Sequence, residues 1–325
     1  MHQQQARVLV PLRIGGAPPP WDQATHALQG QTMGTSWSAR FCAPALLRLN
    51  FIEAAITRAL DAVIAEMSHW EPDSALSRFN RASAGSQHAL PAGFARVMDA
   101  ALQIARTSGG AFDPTVYELV RHWGFGPPGA AEEGARCDWQ QLSWHGGQLM
   151  QSGSARLDLS AIAKGHAVDR VAQVLFDCGI EHQLLEVGGE LRGAGCKPDG
   201  QPWWVDLEPP DADCAIEPLR IALHGLAIAT SGDYRRFRID DGGRRRSHTL
   251  DPRTGEPIAH GPASVSVVHE SAMWADGWST ALMVLGLEQG LQLAQEQSLA
   301  ARFVQRVEGG GFGEHFSPAL LRMLA

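Results

Sequence analysis

HQLLEV (182–187), WWVDL (203–207), LRIAL (219–223), LAIAT (226–230), RFRI (236–239), SHTL (247–250) and ASVSVV (263–268) follow one another through the middle of the chain. Each is a run of four to six residues rich in branched and aromatic side chains, closed off by Gly, Pro or Asp. That punctuation predicts short β-strands joined by turns. On the amino-terminal side the period changes. From Asn50 to Met67, Phe51, Ile52, Ala55, Ile56, Ala59, Leu60, Val63, Ile64 and Met67 recur at helical spacing, with Asn50 and Glu53 set as a capping box. A second helix is expected over 92–107, stopping at Gly109-Gly110, and a third from about Lys164 to Cys178, ending at Gly179. On the carboxyl side, helical patterns at 275–285 and 287–299 precede a strand, RFVQRV (302–307), and a Gly-rich turn at 309–313. Helices and strands interleave without a βαβ period, so the expected fold class is α+β, with mixed sheets flanked by helices.

The chain has 325 residues, 44% of them hydrophobic and 19% charged, enough for a substantial core and unlike a disordered or collagen-like composition. Lys and Arg number 27 against 35 Asp and Glu, a net charge of -8, so no global basic field favours nucleic acid as a partner. The five cysteines are scattered without a C-x-x-C pair, which argues for free thiols over a zinc site or a disulfide framework. Pro18-Pro19-Pro20 marks an extended leader, so order is expected from near Gln31, with 1–30 as an extension and 31–325 as one unit. The first residues lack the apolar stretch of a secretion signal, and no run is long enough for a transmembrane segment; a cytoplasmic location is the expectation.

Several stretches carry chemistry. GFGPPG (124–129) matches a dinucleotide-binding pattern formally, but Pro127 and Pro128 would remove two backbone donors, so it reads as a loop. In LDLSAIAKGHAVD (157–169) an acidic strand end passes through Ser160 into a helix whose first turn holds Lys164 and Gly165, a place where an anion could dock. The same pattern also fits a plain Ser160 cap beside a solvated lysine. ADGWSTALMVLG (275–286) sets Asp276 and Thr280 four apart at a helix start, two hard oxygens on one face, suited to Mg²⁺ or equally to a dipole-favoured Asp with a packed Thr. In SHTLDPRTG (247–255), His248 leaves a strand beside Asp251, well placed as a general base, while Arg244, Arg245 and Arg246 read as an exposed charged strand. TSGDY (230–234) and EVGGEL (186–191) allow close backbone approach, to a ligand or within tight turns.

Taken in order, QTMGTSW (31–37), MSHWEPDSALSRFN (67–80), GGAFDPTV (109–116), LDLSAIAKGHAVD (157–169), VGGELRGAG (187–195), ATSGDYRRF (229–237), SHTLDPRTGEPI (247–258) and ADGWSTALMVLG (275–286) resemble the FAD:protein FMN transferase family of the ApbE type. The resemblance implies a T-fold-like α+β architecture and an Mg²⁺-dependent enzyme. Such an enzyme splits FAD, joins FMN through a phosphoester to a threonine of an acceptor flavoprotein, and releases AMP. It also implies roles by position: Met33, Trp70, Ala111, Phe112, Asp113, Asp158 and Lys164 line the FAD site. The Ala161 carbonyl, Asp276 and Thr280 hold the metal, and His248 is the catalytic base. The residues alone leave two rivals open: a pyrophosphatase giving FMN and AMP, and a non-catalytic flavin-binding or delivery protein.

Overall fold

The computed structural model describes residues 7–129, 136–211, 214–234, 237–239, 242–243, 245–259, 261–307 and 309–324. Chain order begins with β1 (Arg7–Leu9), β2 (Gln23–Thr32), β3 (Thr35–Pro44), α1 (Leu49–Met67), α2 (Ala75–Arg81), β4 (Gln87–Ala89), α3 (Ala92–Thr107) and α4 (Tyr117–His122). It continues through β5 (Ser143–His145), β6 (Gln148–Met150), α5 (Ala163–Asp177), β7 (Gln183–Val187), β8 (Glu190–Ala194), β9 (Trp203–Asp206), β10 (Leu219–Leu223) and β11 (Leu226–Gly232). The remainder is β12 (Phe237–Ile239), β13 (Arg245–Ser247), β14 (Leu250–Asp251), β15 (Glu256–Pro257), β16 (Pro262–His269), α6 (Ala272–Glu296), β17 (Ala300–Arg306), β18 (Phe312–Phe316) and α7 (Pro318–Leu321). The α+β class read from the sequence is the class observed.

An eight-stranded sheet runs in the order β18-β17-β16-β11-β8-β7-β3-β2. Its central strand β16 is buried on both faces, and the alternation of a strand divides its side chains between two cores. Val265 and Val267 join the large core beneath α1, α3, α5 and α6, whereas Val268 joins a smaller one with Leu9, Trp203, Ile221 and Leu320. This second core lies under the small sheet β1-β10-β9 and α7. Both faces of the sheet are therefore covered, which explains why ASVSVV carries no charge. No helix of the described residues is long and apolar enough to cross a membrane.

The structure corrects several sequence expectations. From Arg7 to Gly30 the chain is not a loose leader: β1 pairs in parallel with β10, and β2 forms a ten-residue ladder with β3. As an edge strand, β2 buries few side chains, so Gln, His and Thr tolerate it and leave no apolar run to read. The Asn50/Glu53 capping box does not form, because α1 begins a residue earlier behind Arg48, which makes no side-chain cap. Residues 157–159 form no strand, and Ser160 does not cap α5; its hydroxyl bonds Asp158 instead. SHTL splits between β13 and β14. The last two helical patterns form one element, α6, interrupted at Gly286, whose φ of 76° no other residue type adopts readily. Arg236 and Arg244, part of two predicted strand runs, lie outside the described residues.

His166 is enclosed by the helical layer, 2% exposed, and burial pushes its pKa down to about 4. The unfolded chain then binds the extra proton first, so stability is fullest above pH ~6.5 and falls as pH drops toward 4. A separation of this size corresponds to roughly 3 kcal/mol. His166→Gln is expected to flatten the slope of unfolding free energy between pH 6.5 and 4, measured by urea titration; an unchanged slope would place the acid sensitivity elsewhere.

Candidate active site

Two helix starts meet at the centre of the site. α5 opens with Ala163, Lys164 and Gly165, and the Gly165 amide donates to Asp276 Oδ2 at 2.9 Å. A Cβ on Gly165 would collide with the Ala272 carbonyl and Asp276 Cβ, so only glycine lets α5 come this close to α6. α6 starts at Ala272 because the Ser271 side chain caps Trp274 N. Asp276 therefore sits in the second turn, not the first as expected, and is 3% exposed. Its position is locked from the other helix: Asp169 accepts from Ser271 Oγ at 2.6 Å and from the Ala272 and Met273 amides at 3.0 Å each. One carboxylate of α5 thus supplies the partners that a helix amino terminus lacks.

Lys164 Nζ pairs with Glu190 and lies 3.9 Å from Asp276 Oδ1. Burial raises the Asp276 carboxyl above its ordinary range, opposed by Lys164 and the Gly165 amide. Glu190 is pushed up to about 7 by burial, again against the pull of Lys164. Two buried carboxylates thus share one ammonium, an arrangement short of positive charge. Thr280, one turn past Asp276, has its hydroxyl 3.1 Å from Ser231 Oγ of β11, which in turn lies 2.8 Å from Ser279 Oγ. The TSGDY stretch thereby reaches the α6 hydroxyls. Asp276 and Thr280 present hard oxygens, as does the main chain of Ala161 in the turn before α5, the donor type that Mg²⁺ accepts alongside retained waters.

Met33 and Gly34 form the two-residue turn between β2 and β3, with Met33 at φ 49°. This turn faces the β7–β8 turn: a Cβ on Gly188 would lie 2.9 Å from Thr35 Cγ2 and 3.4 Å from Lys164 Cδ. The β7–β8 tip thus lies against both Thr35 and the Lys164 side chain, which explains the small residues of VGGEL.

A second locus is a cavity of about 590 Å³ lined by residues including His69, Trp70, Tyr117, Arg121, Arg156 and Pro127. Trp70 is 57% exposed and sits at its edge. His69 Nδ1 lies 3.3 Å from Asp158 Oδ2, and its ring is 5.5 Å from that of Trp70 and 5.9 Å from that of Tyr117. Desolvation works to raise Asp158, but His69 and the Ser160 hydrogen bonds outweigh it and hold the carboxyl low. Desolvation likewise opposes the charged form of His69, and Asp158 overcomes it to raise the imidazole. The Asp158 amide bonds the Pro114 carbonyl at 2.9 Å, tying this locus to the loop of Ala111, Phe112 and Asp113. Ala111 and Phe112 are buried, and Asp113 spends its oxygens inside the protein, on Thr115 N, Thr115 Oγ1 and Trp139 N. Asp113 shapes the loop through these three bonds.

His248 follows β13 and presents its ring 6.3 Å from Phe125, edge to face. His248 is thus linked through Phe125 to the loop whose Pro127 lines the cavity, without lining the cavity itself. Asp251 is not its partner: Arg253 takes that carboxylate with Nε at 2.9 Å and Nη2 at 2.8 Å. GFGPPG is a loop of turns and bends, as its two prolines predict. Sequence reasoning missed His69, Glu190, Ser231 and Arg253. All four stand in the quoted blocks, but no local pattern announced the long-range partners of His69, Glu190 and Ser231.

The family model of the ApbE family matches residues 33–303, and the chain belongs to that family. The FAD:protein FMN transferase of Klebsiella pneumoniae is 37% identical over 307 residues, covering 90% of this chain and 87% of its own. The Vibrio cholerae protein of the same name is 36% identical over 326 residues, with 97% and 96% covered. The solved structure of the flavin transferase ApbE from Vibrio cholerae superposes with a TM-score of 0.84 at 35% identity, over 93% of this chain and 100% of that one.

Proposed function

We propose that the protein transfers FMN from FAD to a threonine hydroxyl of an acceptor protein, releasing AMP, with Mg²⁺ held by the Ala161 carbonyl, Asp276 and Thr280. The observation that carries the proposal is the contact between the two helix starts: Lys164 Nζ lies 3.9 Å from Asp276 Oδ1, so an ammonium for a diphosphate and a carboxylate for a cation share one point. When bound, Mg²⁺ would neutralise charge on the phosphate oxygens. Lys164 and the amide-rich start of α5 would orient the diphosphate, and Met33 would close over it from the β2–β3 turn. Trp70 offers a ring face for stacking at the cavity edge, with His69 and Asp158 fixing the wall beside it. His248 would take the proton from the threonine hydroxyl as that oxygen attacks the FMN-side phosphorus; the bond to the AMP oxygen breaks, and AMP departs with the electron pair. The names of the relatives in two of the comparisons favour transfer over simple hydrolysis.

The test is incubation with FAD, Mg²⁺ and a candidate flavoprotein acceptor, read by mass spectrometry of the intact acceptor. A mass gain equal to FMN phosphoester, located on a threonine, is the expected result. AMP release with an unmodified acceptor would instead assign a pyrophosphatase, and FAD left whole in the presence of Mg²⁺ would assign a binding or delivery protein.

A further inference from the structure

Glu190 is absent from the ligand set just described, yet it occupies a special place. It opens β8 directly after the Gly188-Gly189 turn, in register with Val187, and is 3% exposed. The backbone leaves it little choice of direction, since Gly188 adopts φ 63° and Gly189 φ 104° to make the tight reversal. One oxygen, Oε1, pairs with Lys164 Nζ. The other, Oε2, is fully buried and makes no hydrogen bond among the described residues.

A buried carboxylate oxygen without a donor is costly, and native interiors rarely leave one so. The surroundings give the same signal: Glu190 and Asp276 are both buried carboxyl groups, and they share the ammonium of Lys164, whose side chain is a third exposed. What would answer both is a cationic source of hydrogen-bond donors on the side of Asp276. A hydrated divalent cation is such a source, because Mg²⁺ gives up its waters reluctantly and polarises those it keeps. We infer that Glu190 is a positioning residue of the cation site, its Oε2 accepting a hydrogen bond from a water carried by the cation at Asp276. The inference rests on the cation site of the proposed function and adds a protein group to its outer ring. Lys164, held by Oε1, is thereby kept from closing onto Asp276 as a direct partner.

The test is cation binding by the full chain without FAD: Mn²⁺ followed by electron paramagnetic resonance, and Mg²⁺ by its displacement. Glu190→Gln keeps the shape and removes the charge, and is expected to weaken both ions by roughly 10–100-fold, as loss of an outer partner of a metal site does. Combining it with Lys164→Met is expected to leave binding equally weak. Glu190→Asp retains the charge but withdraws the oxygens by one methylene; it too is expected to bind more weakly, and it decides the matter if Glu190→Gln fails to fold. Wild-type affinity in Glu190→Gln or Glu190→Asp would overturn the inference. Recovery in the double variant would overturn it as well, since Glu190 would then act only by balancing Lys164. Absence of binding by the wild-type chain would remove the cation site itself, a result distinct from either.

Discussion

Replacing His248 by alanine is expected to lower FMN transfer by roughly 10²–10⁴-fold, the usual worth of a positioned general base, while FAD binding stays near its wild-type strength. The separation of effects follows from where the ring stands. His248 lies past the end of β13, against the edge of Phe125, and is not among the residues that line the cavity with Trp70. Removing it takes away a proton acceptor but none of the groups assigned to FAD. Two readouts check this. Quenching of flavin fluorescence measures binding, and in-gel flavin fluorescence of the acceptor measures transfer. A loss under tenfold would move the proton acceptor elsewhere, with His69, which lines the cavity and pairs with Asp158, the next candidate. A parallel fall in FAD affinity would instead mean that the 123–127 loop depends on the imidazole for its shape.

The parts of the site that could be read in sequence are those whose partners lie within a turn or two. The helical stripes of α1 and α3, the short apolar run of β16 and the Asp276/Thr280 spacing are all local, and each is present in the fold. What failed to show were partnerships formed across long separations. The Gly165 amide meets Asp276 from 111 residues away, and Asp169 caps α6 from more than a hundred. No spacing rule reports such contacts. Local competition also misled: Asp251 looked available to His248, but Arg253, two residues on, reaches it with a bidentate guanidinium. Similarly, GG in EVGGEL was legible as a tight turn, whereas the consequence, a glutamate thrust beside Lys164, needed the register of β7 with β8.

Asp276→Asn is expected to remove Mg²⁺-dependent turnover, by ~10³-fold or more if the cation supplies several kcal/mol of charge neutralisation at tenfold per 1.36 kcal/mol. The same change is expected to leave the apoprotein as stable as the wild type or more so. Burial holds the Asp276 carboxyl above its unfolded value. A carboxyl so raised binds its proton more tightly in the folded chain, so native stability declines as pH rises from the unfolded value, near 4, toward the folded one. Asparagine has no such titration, and its side-chain oxygen can still accept the Gly165 amide that joins α5 to α6. Alanine would be a poorer probe, because it would strand that amide, whereas Lys164 keeps Glu190 as its partner in either variant. Thermal unfolding without Mg²⁺ and turnover with Mg²⁺ should therefore move in opposite directions or independently. If both fell together, Asp276 would be a structural anchor of the two helices; if turnover persisted, the cation would have to be held by other oxygens.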